Sequence, residues 1–145
     1  MKLFFKKIIP SVLICALFPV NLIVEPYLQN ATPNSMCVLW ETDSDSQTIV
    51  EWGISPFLTE STTGISFSNY GNSKIHTVEL VNLNPNTRYY YRTVIGNYES
   101  YSELHDFITP PEPSSEASFK IIAMSDMQRD SSNPNKFDEI IHDGV

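Results

Sequence analysis

From residue 22 to residue 109, short runs rich in apolar residues are separated by clusters of turn residues, the pattern of a series of short strands. Leu22 to Glu25 reads as a first strand stopped by Pro26, and Asn30-Ala31-Thr32-Pro33-Asn34-Ser35 as a turn. Met36 to Thr42 is the next strand, with Met36, Val38 and Trp40 on one face and Cys37 and Leu39 on the other. Apolar residues on both faces predict burial on both sides. Asp43-Ser44-Asp45-Ser46 turns the chain into a strand over Thr48 to Trp52. Residues 54–73 are polar and irregular, with an edge strand around Ile65 to Phe67. Lys74 to Leu80 alternates, with Ile75, Val78 and Leu80 apolar among Lys74, His76 and Glu79.

The most specific local pattern is Leu83-Asn84-Pro85-Asn86-Thr87-Arg88-Tyr89-Tyr90-Tyr91. Pro and Asn fix a corner, and Tyr89 opens a long strand running through Ile95. This is the spacing of a tyrosine corner, in which the phenol bonds back to upstream backbone and pins a crossover between sheets. Gly96-Asn97 turns a final hairpin, and Tyr101 to Thr109 closes the module. Seven short strands at this spacing predict an all-β fold, a fibronectin-III or immunoglobulin-like β-sandwich over residues 22–109.

Both flanks have a different pattern. Residues 110–118, with Pro110, Pro111 and Pro113 among Ser and Glu, hold nothing that builds a core and read as a stiff linker. Phe119 to Met124 is then a nearly continuous apolar run, as in a central parallel strand. Ser125-Asp126-Met127-Gln128 ends it, and Phe137, Ile140 and Ile141 share one face of a helix beyond. Strand, acidic turn and helix begin an α/β domain, so residues 119–145 are expected to be its truncated start. At the other end, Lys2, Lys6 and Lys7 precede an apolar stretch from Ile8 to Val20. That layout predicts a secretory signal peptide over residues 1–21 and a secreted or periplasmic protein.

Charge and cysteine content narrow the function classes. Removing the three leader lysines takes the net charge from −8 to about −11. A domain this acidic repels phosphate backbones and anionic lipid, so neither nucleic acid nor a membrane surface is an expected partner once the leader is gone. Cys15 lies in the leader, leaving Cys37 alone and the sandwich without an internal disulfide. With no cation near it in sequence, Cys37 reads as a small buried hydrophobe.

Asp126 is the candidate for chemistry. A carboxylate at the carboxyl end of a buried parallel strand sits where α/β folds place ligands and metals. Left unpaired beside an apolar run, it would be costly. His76, His105 and His142 have no ligand spacing among them and read as packing or solvent-facing residues.

The ordered set of Pro26-Tyr27-Leu28-Gln29, Val38-Leu39-Trp40-Glu41-Thr42, Glu51-Trp52-Gly53, the Leu83 to Tyr91 corner and Ser125-Asp126-Met127-Gln128 resembles the purple acid phosphatases. The likeness covers their N-terminal domain and first catalytic strand. It implies a calcineurin-like metallophosphoesterase domain after the sandwich, with two metal ions, iron paired with zinc, manganese or iron. Such a pair generates a hydroxide nucleophile and neutralises phosphoryl charge. By resemblance Asp126 is a metal ligand. Gln128 stands where these enzymes often carry His, and a neutral amide is a weak ligand beside imidazole. Ser125 replaces the family's usual Gly. The resemblance thus implies phosphate-ester substrates handled by a catalytic domain on which the sandwich packs, with no activity in residues 1–145 alone. The competing expectation is a non-catalytic adhesion or carbohydrate-binding module.

Overall fold

A computed structural model of the chain describes residues 19–116 and Ser118. The chain divides into two compact units, Met1–Pro113 and Ser114–Val145. The expected signal peptide falls almost wholly outside the described residues. So do the apolar run from Phe119, the Asp126 turn and the helix expected after it.

The first unit is an all-β sandwich. Its strands are β1 Leu22–Gln29, β2 Ser35–Thr42, β3 Ile49–Gly53, β4 Glu60–Thr63, β5 Ile65–Ser68, β6 Lys74–Val81, β7 Arg88–Ile95, β8 Ser100–Tyr101 and β9 His105–Ile108. One sheet has the order β1-β2-β6-β5; the other runs β4-β3-β7-β8, with β9 also on β7. All pairings are antiparallel. This is the two-sheet arrangement of immunoglobulin-like domains, with β4 as an additional edge strand.

Alternation decides which side chains meet between the sheets. Met36, Val38 and Trp40 of β2 and Val78 and Leu80 of β6 share a core with Val50, Tyr89, Tyr91 and Phe107 of the other sheet. Cys37 and Leu39 are only half-buried, so β2 is enclosed on one face, not two, among the described residues. Leu39 stands in register with Tyr27 of β1 and Thr77 of β6 on that outward face.

Several boundaries differ from the sequence reading for identifiable reasons. β1 does not stop at Pro26; it runs on to Gln29 through register shifts on both sides of Val24. Proline is tolerated because β1 is an edge strand and one side of its backbone needs no ladder partner. In β6 the inward row is His76, Val78 and Leu80, while Ile75 lies half-buried on the outward side. The strands number nine rather than seven among the described residues. The stretch 54–73 forms β4 and β5 on opposite sheets, and the last strand is interrupted between Tyr101 and His105.

Gly64 makes the switch between sheets. Its N–H donates to the Thr48 carbonyl at 2.8 Å, while a Cβ at this position would stand 2.0 Å from the Thr77 carbonyl oxygen. Only a residue without a side chain lets the chain pass so close to β6.

Candidate functional site

Two polar constellations stand out among the described residues: one inside the sandwich and one where the chain leaves it. Inside, His76 is fully buried and stacks on Trp40, with ring centroids 4.9 Å apart and planes 10° from parallel. Its Nε2 lies 2.8 Å from Thr42 Oγ1 and its Nδ1 2.8 Å from Thr48 Oγ1. Thr42 Oγ1 spends its proton on the Ser44 carbonyl at 2.7 Å, so it must accept from the ring. The proton therefore sits on Nε2, and Nδ1 accepts from Thr48. Both ring nitrogens are satisfied in the neutral form. Burial lowers the imidazole from 6.5 to about 4; Asp45 opposes this and Lys74 reinforces it. His76 ties β6 to the segments around β2 and β3 and has no free lone pair for a metal.

At the exit, Tyr89 closes the corner as its spacing predicts: its hydroxyl accepts the Asn84 N–H at 2.9 Å. Asn86 takes the left-handed conformation, φ 48°, that asparagine adopts more readily than most residues. Thr109, the last residue before the prolines, is almost wholly buried against this corner. Its Oγ1 donates to the Asn84 carbonyl at 2.6 Å and accepts the Thr87 N–H at 3.0 Å. The backbone adds Thr109 N–H to the Thr87 carbonyl at 3.0 Å and Asn86 N–H to the Pro110 carbonyl at 3.2 Å. The corner thus fixes the point from which the chain departs.

Arg92, Tyr91 and His105 are engaged in other ways. Arg92 donates through Nε and Nη2 to Glu51 Oε2, at 2.9 and 2.7 Å, and its guanidinium lies 3.9 Å over the Tyr101 ring. It borders an open cavity of about 360 Å³ beside Phe57 and Leu104. Already neutralised by Glu51, it offers little to a phosphate there. Tyr91 is buried, and desolvation, then the charge of Asp106, pushes its phenol up to about 12. A phenol held protonated so strongly is a poor metal ligand. His105 packs its ring against Tyr91 at 5.4 Å, on the opposite sheet from His76. Cys37 is a free, half-buried thiol.

No group of three or more His, Cys, Asp or Glu among the described residues can hold a metal ion. The described residues therefore do not fit the metal pair that the resemblance implies. Asp126 and Gln128, the residues assigned to it from the sequence, lie outside the described residues, as does His142. The alternation of the strands could not have revealed the His76 triad, because its partners Thr42 and Thr48 belong to different segments.

The family model of the purple acid phosphatase N-terminal domain matches residues 23–109. The chain belongs to this family. That match spans the sandwich from β1 to Thr109, so the corner and the exit are features of a purple acid phosphatase N-terminal domain. Among solved structures, one similar chain is a computer-redesigned β-sandwich protein, 25% identical, with 66% of this chain and 98% of that one covered and a TM-score of 0.43. No curated protein matches the chain.

Proposed function

We propose that this chain carries the N-terminal sandwich of an exported, metal-dependent acid phosphatase that hydrolyses phosphate esters. The observation that carries the reading is the family match over residues 23–109. The sequence beyond the sandwich supports it: a proline-rich linker, an apolar strand-like run and Asp126 at its end. Asp126 is the residue assigned to a metal ion; Gln128 is the weaker candidate. Residues 1–21 direct export, and the sandwich serves as the accessory domain whose corner holds the start of the linker.

The test uses the protein as its cell makes it, assayed on an aryl phosphate with iron, zinc or manganese present. Chelator-sensitive hydrolysis is expected, and Asp126→Asn should lower both activity and bound metal by at least about 10–100-fold, the cost typical of disturbing even a supporting residue at such sites. Hydrolysis indifferent to chelator and to Asp126→Asn would overturn the assignment. A protein inert with every metal would favour the adhesion or carbohydrate-binding reading.

A further inference from the structure

Among the described residues five strands lie at sheet edges, and they are not equally protected. β1 is blunted by Pro26 and by two register shifts. At the far side of the other sheet, β8 has two residues, and β9 beside it carries Asp106, paired with Arg88. β4 begins on Glu60, and its Thr62 hydroxyl accepts the Trp52 indole N–H at 2.9 Å. β5, Ile65-Ser66-Phe67-Ser68, has none of these protections. It has no charge, no proline and no bulge against β6, and all four residues are exposed. From Ser61 through Ser73 the sequence contains no charged residue at all. Natural edge strands ordinarily carry charge, proline or irregularity to prevent pairing with another chain.

On the outward face, register places Ile65 beside Thr77, Leu39 and Tyr27 in one row, and Phe67 beside Ile75 and then Glu41 in the next, with the Glu41 carboxylate accepting from Asn69 and Ser73. Ile65 and Phe67 remain 60% and 55% exposed. We propose that β5 is a self-association edge, at which a second copy of this chain pairs antiparallel to extend the β1-β2-β6-β5 sheet across a two-fold axis.

Symmetry favours a second copy as the occupant, and the uncharged run from Ser61 through Ser73 is the approach at which two copies, each carrying a net charge of −8, repel least. An isologous antiparallel pair centred on Ser66 puts Ile65 opposite Phe67 of the other copy twice, an aromatic and β-branched pairing of the favourable kind. Lys74, at the end of the ladder, donates to Ser68 and is paired with Asp45 at 3.3 Å, so it presents no unpaired cation to the other copy. Four residues a side bury much less than the roughly 1,200–2,000 Å² of a stable interface, so the dimer is weak. Dissociation should fall in the range of about 0.1–1 mM.

Sedimentation of the whole chain between about 10 µM and 1 mM, with amide exchange at both ends of the series, tests this. The expected result is a mass rising towards that of a dimer, with slower exchange at residues 65–68 in the concentrated sample. Phe67→Lys and, separately, Ile65→Lys should return the mass to that of one chain while leaving the circular dichroism unchanged. Phe57→Lys, at a side chain 90% exposed and away from β5, should leave association intact. A single-chain mass throughout, association that survives both lysine variants, or association lost equally with Phe57→Lys would each overturn the proposal.

Discussion

His76 shows how a single residue sets a pH window for the fold. In the unfolded chain its imidazole titrates near its ordinary 6.5; burial between the sheets lowers it to about 4. The folded state thus resists a proton that the unfolded state accepts. The contribution of neutral His76 is complete above pH 6.5 and is lost progressively as pH falls towards 4. The loss reaches on the order of 3 kcal/mol. Urea unfolding at a series of pH values should show a flat plateau above 6.5 and a decline below it. The His76→Gln variant should lose most of that slope, because nothing then titrates at this position. A decline of equal size in His76→Gln would place its origin elsewhere. Hydrogen bonds also hold the carboxyls of Glu41 and Asp43 below their ordinary values, but their effects are lost only as pH falls below the usual carboxylate range. In the sequence, His76 was one polar position in an alternating strand. Its inward direction comes from the register of β2 and β6, which pairs it with Trp40.

At the scale of elements, the strands were legible wherever turn residues bounded a run rich in apolar and aromatic side chains, as in β2, β6 and β7. Pro26 misled because a proline ends a central strand but not an edge strand, and edge position is a property of the assembled sheet. In the 54–73 stretch the edge strand expected around Ile65 to Phe67 is β5, but β4 and its place on the other sheet were not legible, for a related reason. β4 and β5 are each four residues long, and their separation rests on one glycine whose backbone is wedged between Thr48 and Thr77. Gly64→Ala should therefore cost at least about 1–3 kcal/mol, the usual range for forcing a methyl into filled space. The obstructing atom is a backbone oxygen, which cannot rotate aside. Chemical denaturation measures the loss, and amide exchange should quicken first across β4 and β5. A Gly64→Ala protein unchanged in both measurements would mean that the crossover is looser than these distances require.

Over the whole molecule, the sandwich ends at a polar clamp. Thr109 is buried and bonds both Asn84 and Thr87, so replacing its hydroxyl with a methyl orphans two backbone groups at once. Thr109→Val, nearly equal in volume, should destabilise the sandwich by about 1–3 kcal/mol. Exchange of the Asn86 and Thr87 amides should accelerate more than that of Val38 or Val78 in the core. Uniform acceleration across all four would mean the threonine supports overall stability and does not act locally at the exit. The sequence marked this place by the Leu83 to Tyr91 spacing, and the Asn84 to Tyr89 hydrogen bond bears that reading out. The role of Thr109 was hidden, because its partners are more than twenty residues upstream.

By itself, the sequence determined the class of the fold and the family of the domain. Alternation with period two, the tyrosine spacing and the proline-rich end are local, and local chemistry suffices to produce them. It also singled out Asp126 as a candidate metal ligand, on the strength of the apolar run before it and a resemblance. Only the tertiary structure decided which strand faces lie inward, where His76 finds its two hydroxyl partners and which edge is left unprotected. Those depend on register and sheet order, which join residues far apart in the chain, and no local pattern carries that information.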